Sequence, residues 1–166
     1  MPTLIRLQDG VYAAAEDRFV DVADEDAIPA DAPVILSLAR FQAEGDALLG
    51  AGREVGVRIA SDEEIETLAY DLPRLAVVAL QFPKYGDGRA YSSARLLRQR
   101  LGFKGEVRAV GDVLRMQAGF MVRCGFDSFA PADGSTPEQW ANAAGRFRHV
   151  YQRGADARAP VFEERA

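Results

Sequence analysis

Leu75 to Phe129 read LAVVALQFPKYGDGRAYSSARLLRQRLGFKGEVRAVGDVLRMQAGFMVRCGFDSF. LAVVALQF is the most strand-like run in the chain, and PKYGDG after it is a glycine-containing loop. The spacing then predicts a helix from about Tyr91 to Leu101, because Ala94, Leu97 and Leu101 recur at i, i+3 and i+7. Gly102 and Gly105 end it. EVRAV is the next strand. Gly111-Asp112 opens a further helix with Asp112 as its expected cap, and Val113, Met116, Phe120 and Cys124 share one expected buried face. Gly125 stops that helix, and FDSFA is a short last strand. Strand and helix alternate at a spacing that implies βαβ units, right-handed crossovers and a mostly parallel sheet.

The flanks extend the same pattern. TLIRL and VYAAA surround Gln8-Asp9-Gly10, a turn signal that predicts an N-terminal β-hairpin. With the acidic loop Asp21 to Asp31 it makes up residues 1–30. Pro33 opens VILSL, a continuous apolar run suited to a strand buried on both faces. Ala39 to Gly52 follow as a helix and EVGVRIA as a strand. Ser61-Asp62-Glu63-Glu64 has capping-box spacing and predicts a helix to about Tyr70, ending before Pro73. Ser135 or Thr136, with Pro137 after it, starts a last helix whose stripe is Trp140, Ala144, Phe147 and Tyr151. Residues 31–153 thus read as one α/β domain, and 154–166 as a frayed tail. The fold class is α/β, a mostly parallel sheet of about five strands with helices packed on it. Strand order is not in the pattern. About five parallel strands in this length suit an open flavodoxin-like or Rossmann-like sandwich, with a half (β/α) barrel as the alternative.

Composition bounds the chemistry. The chain has 166 residues, a net charge of −5, one cysteine and one histidine. A single cysteine, Cys124, excludes an internal disulfide and a four-cysteine cluster. The expected place of the protein is therefore the reducing cytoplasm. No apolar run approaches the roughly 20 residues of a spanning helix, and the N-terminus lacks a secretory layout, so no membrane partner is expected. His149 and Cys124 give little material for metal or triad chemistry and read as ordinary helix and core residues. No metal site is expected. Charge is uneven: Lys84 to Arg123 hold nine basic and three acidic residues, +6, while the remainder is −11. That asymmetry fits an anionic ligand or an acidic partner, or else the solvated outer face of a helix. A nucleic-acid partner is not expected of an acidic chain without a recognised module.

Ligands of open parallel sheets bind outside the carboxyl ends of the strands. The candidate anion- or cofactor-binding residues there are Lys84, Gly86, Gly88, Arg89, Ser92, Ser93, Arg108, Gly111 and Asp112, with Asp87 as an acid or base. The glycines also fit an ordinary turn. Tyr91 stands where a dinucleotide fingerprint starting at Gly86 needs glycine. Val57-Arg58-Ile59-Ala60-Ser61-Asp62 and Val107-Arg108-Ala109-Val110-Gly111-Asp112 echo each other. Each places an arginine on a buried strand, and a buried guanidinium must find a partner or reach an edge.

Residues 88–98, 105–113 and 123–127 match, in order, a G-R-[AG]-Y-S-x-A-R-x-L-R run, a G-E-[LV]-R-A-V-G-D-V run and R-C-G-F-D. On these three blocks the chain resembles the bacterial family called domain of unknown function 934. The resemblance implies a role in assimilatory sulfite reduction or cysteine biosynthesis, beside the sulfite reductase haemoprotein, and an oxidoreductase label. It assigns no catalytic residue and no cofactor. Two expectations follow: an accessory protein supporting the haemoprotein, or a small-anion or cofactor-binding oxidoreductase using the strand-edge loops.

Overall fold

In the computed structural model, which describes residues 4–164, every apolar run read as a strand lies in one eight-stranded sheet. Thr3 of the first run and residues 165–166 of the tail lie outside the described residues. β1 (Leu4–Gln8) and β2 (Val11–Ala15) form the expected antiparallel hairpin. It turns on Asp9 and Gly10, both at positive φ, the geometry that suits the twist of paired strands. β3 (Val20–Asp21), β4 (Val34–Ser37), β5 (Val55–Ile59), β6 (Val77–Phe82), β7 (Glu106–Gly111) and β8 (Ser128–Phe129) follow side by side, all parallel. β1 pairs antiparallel with β8, so the order is β2-β1-β8-β7-β6-β5-β4-β3.

Two expectations are corrected here. Six strands pair in parallel rather than about five, and β1 and β2 join them through antiparallel pairs; β3 is two residues long, too short for any periodic signal. The sandwich gives way to the half barrel. A strand order that never reverses, joined by right-handed crossovers, sends every helix to one face. α1 (Leu38–Gly50), α2 (Arg89–Arg95), α3 (Ala118–Cys124) and α4 (Pro137–Ala144) all contribute to one core, through Phe41, Ala94, Leu97, Met121 and Trp140 among others. The apolar cluster of the opposite face is small, Phe19, Ile35, Val77 and Ala79, and among the described residues it includes no helical one.

That opposite face is concave. β2 and β3 are the two outermost strands, yet only residues 16–19 join them. Seven strand spacings span about 34 Å in a flat sheet, whereas five Cα steps reach at most about 19 Å. The sheet must curl until its edges approach, and the linking segment runs diagonally across the hollow.

Several helix readings also change. Residues 61–70 form no α-helix: Glu63 Oε2 accepts the Ala60 N–H at 2.7 Å, and the chain continues in two 3-10 turns, Ile65–Leu68 and Leu72–Arg74. Their buried anchors Ile65, Leu68, Leu72 and Leu75 suit short three-residue turns. α1 is capped by Ser37, whose Oγ accepts the Arg40 N–H at 3.2 Å. α2 continues as a π turn, Leu96–Arg100. Asp112 does not cap α3; a 3-10 turn, Arg115–Gln117, precedes that helix, and Gln117 Oε1 accepts the Leu114 N–H at 2.8 Å. Met116 and Phe120 are exposed rather than buried. Thr136 caps α4 with Gln139 as its box partner, while Ser135 Oγ accepts the Trp140 indole N–H at 2.8 Å. α4 ends at Ala144, so Phe147 and Tyr151 fall outside its stripe and are exposed.

Gly111 leaves β7 with φ 93°, and a Cβ there would overlap the Phe82 carbonyl oxygen. Gly134 has φ 64° and open space around it. Gly111→Ala is therefore expected to lower unfolding free energy by about 3 kcal/mol or more, through strain plus overlap. Gly134→Ala should cost about 1 kcal/mol, strain alone. Urea denaturation of both variants checks the difference.

Candidate functional site

The carboxyl edge of the sheet brings together the loops after β5, β6 and β7. Arg89 Nη2 donates to Ser61 Oγ at 2.8 Å and to Asp87 Oδ2 at 2.6 Å, and its Nε donates to Asp87 Oδ1 at 3.0 Å. The Tyr85 N–H donates to Asp112 Oδ2 at 2.7 Å, and the Asp112 N–H to the Phe82 carbonyl at 2.8 Å. Asp112 thus fastens the β7 loop to the β6 loop. Lys84, Gly86, Gly88, Arg89, Gly111 and Asp112 share this edge, and Ser92 and Ser93 follow in α2. The Arg89 guanidinium beside Asp87 holds that carboxyl far below the usual carboxylate range. Asp87 stays ionised and neutralises Arg89; it has no proton to give near neutrality.

Arg108 does not join this edge. It sits in mid-strand on the concave face, in a row set by register: Arg58, Ala79, Arg108, Ser128 and Arg6 lie abreast on β5, β6, β7, β8 and β1. The two echoed arginines of the sequence are therefore two members of one row. Arg108 Nε donates to Glu106 Oε1 and its Nη1 to Asp17 Oδ2, both at 2.7 Å. Arg6 Nη2 donates to Glu106 Oε2 at 2.6 Å, and Arg58 pairs with Asp21. The Arg108 guanidinium also lies 5.7 Å from the Phe19 ring centre. Sequence reasoning missed Arg6, Asp17, Glu106 and Ser128. The one available signal was that a buried arginine on a central strand requires carboxylates from somewhere.

A second arginine gathers the amino ends of the strands. Arg98 Nε donates to the Gly125 carbonyl at 2.9 Å, Nη1 to the Phe103 and Gly105 carbonyls at 2.8 Å, and Nη2 to Asp127 Oδ2 at 2.8 Å. Asp127 Oδ1 accepts the Val107 N–H at 2.9 Å. Gly125, at φ 103°, ends α3 directly against the Arg98 side chain.

Near that end a cleft of about 580 Å³ opens between the hairpin, α3, α4 and residues 156–158, lined by Leu7, Tyr12, Val122 and Ala144 among others. Burial pushes the Tyr12 hydroxyl up to about 12. Arg123, paired with Asp156, stands at its side, and the Ala155 N–H donates to the Arg123 carbonyl at 2.8 Å. His149 lies beyond α4, exposed, with Nδ1 2.8 Å from Glu164 Oε2. Among the described residues no group of three or more His, Cys, Asp or Glu is placed to hold a metal, and no helix is long and apolar enough to cross a membrane.

A family model described as "Bacterial protein of unknown function (DUF934)" matches residues 56–162. The chain belongs to the DUF934 family. No curated protein matches it. In this DUF934 chain the three sequence blocks meet in space: Arg98 from the first, Gly105 from the second and Gly125 and Asp127 from the third close one hydrogen-bonded knot. Arg89 and Asp112, from the first and second blocks, stand at the opposite edge.

Arg98→Met removes four hydrogen bonds and leaves Asp127 without its cation, and should destabilise by about 3 kcal/mol. Arg95→Met, at an exposed side chain bonded among the described residues to Gln99 alone, should stay within about 0.5 kcal/mol. Chemical denaturation of the two variants compares them. Burial raises the Cys124 thiol pKa above its ordinary value. Iodoacetamide should thus label Cys124 more slowly than a free thiol at pH 8, with the rate still climbing above pH 9, and unfolding should abolish the difference.

Proposed function

We propose that this DUF934 chain is a non-catalytic accessory protein of assimilatory sulfite reduction, acting by contact with the sulfite reductase haemoprotein. The sulfur-assimilation setting rests on the family resemblance. The observation that carries a contact role is the outward surface of α3 and the turn before it. Met116 is 66 % exposed and Phe120 70 % exposed, one helical turn apart. α2 packs beside α3. From Arg89 to Gly105 there is no acidic residue, and Arg95, Arg100 and Lys104 there are exposed without a carboxylate partner among the described residues. Apolar anchors rimmed by cations fit an acidic protein surface. The arginines of the signature, by contrast, are largely engaged in internal ion pairs.

A second reading, a small-anion or cofactor-binding oxidoreductase at the carboxyl edge, has one observation in its favour. Arg89 reaches Ser61 across two loops, which gathers Lys84, Ser61 and the Gly86–Gly88 turn at one place. Calorimetry against sulfite, sulfate and flavin mononucleotide separates the readings, since an Arg89-dependent heat belongs to the second alone.

For the first, Met116→Ser/Phe120→Ser should leave the melting temperature nearly unchanged and weaken association with the haemoprotein about tenfold or more. Normal growth of a deletion strain on sulfate as sole sulfur source contradicts the proposal.

A further inference from the structure

The concave face holds polar groups beyond those its ion pairs engage. Arg108 is 2 % exposed and Ser128 fully buried. Arg108 Nη2, Arg6 Nε and Ser128 Oγ are shut off from solvent and have no hydrogen-bond partner among the described residues. They are neighbours: Ser128 is in register with Arg108 on one side and with Arg6 on the other. Glu106 draws the two guanidinium groups together, one carboxylate oxygen on each.

The chemistry of the donors identifies what they lack. Nη2 carries two hydrogens, Nε one and the serine hydroxyl one, so four hydrogens are left without a hydrogen bond. One water accepts two of them. An anion with several lone pairs accepts all four. Glu106 and Asp17 balance the two guanidinium charges between them, but they engage only Arg6 Nη2, Arg108 Nε and Arg108 Nη1. It is the unpaired hydrogens, not a surplus of charge, that mark the site.

We propose that Arg6, Arg108 and Ser128 form a binding site for a small inorganic anion on the concave face of the half-barrel, closed over by residues 16–19. This site is separate from the haemoprotein contact and from the carboxyl-edge loops. Asp17 is the built-in competitor, a carboxylate of the same acceptor chemistry resting on the same guanidinium. Phe19, buried over Val77 and Ala79 and beside Arg108, makes the segment a cover that must shift for an ion to enter.

The test is saturable stabilisation by chloride, sulfate and sulfite, followed by thermal melting and calorimetry, with ionic strength held constant by bulky gluconate. At least one of the three should bind the wild type. Ser128→Ala and Arg6→Gln should each weaken it about tenfold or more, Asp17→Asn should tighten it, and Arg89→Gln should leave it unchanged. A purely structural Asp17 gives no gain in affinity on its replacement. The proposal is overturned by no saturable response to any of the three anions in folded protein. Equal binding by wild type, Ser128→Ala and Arg6→Gln overturns it as well, as does loss of binding in Arg89→Gln. So does a high-resolution structure grown in bromide or sulfate that shows ordered water alone between Arg108 and Ser128.

Discussion

A four-residue tether closes this sheet. Because residues 16–19 connect the two outermost of eight strands, the sheet has to bend toward that segment, and the segment has to lie in the hollow it creates. A segment crossing a sheet face needs something to hold it. Phe19 supplies apolar contact with Ile35, Val77 and Ala79, and Arg108 clasps Asp17 beside it. Arg108 in turn is tolerable at mid-sheet only because carboxylates meet it there, since an unpaired guanidinium at that depth costs several kcal/mol. The ion pair and the curvature are one arrangement.

The helical face obeys a different logic. Monotonic strand order puts all four helices on the convex side, where they share a single core with the sheet. The three blocks that mark the family converge at its amino edge, through Arg98, Gly105, Gly125 and Asp127, while Arg89 and Asp112, from the first two, fasten loops at its carboxyl edge. Much of the signature therefore reads as the chemistry of holding loops at both ends of a curled sheet. Met116 and Phe120, beside a helix without acidic residues, are left exposed on that side, and the proposed contact role rests on them.

The strands were legible because each is a short apolar run between turn residues, and the hairpin because Asp9-Gly10 admits positive φ. Strand order was not, since periodicity says which face is buried and nothing about which neighbour pairs. Ser61 had capping-box spacing, but its hydroxyl accepts from Arg89 and the chain turns through 3-10 geometry instead. Met116 and Phe120 fell on a 3.6-residue stripe, yet the turn before α3 shifts the helix phase and leaves them in solvent. Of the candidate site, the residues near one another in sequence stay together at the carboxyl edge. Arg108 parts from them because a residue three positions before a strand's end lies about 10 Å below it. Its true neighbours, Arg6, Asp17 and Ser128, come from the hairpin region and the last strand, which only the closed topology brings abreast.

The clasp between Arg108 and Asp17 is tested most directly by a double-mutant cycle of Arg108→Gln and Asp17→Asn on unfolding free energy. A coupling of about 2 kcal/mol is expected, the two losses failing to add because either change alone frees the linking segment from the sheet face. Additive losses, with coupling near zero, would contradict a segment held in the hollow by that pair.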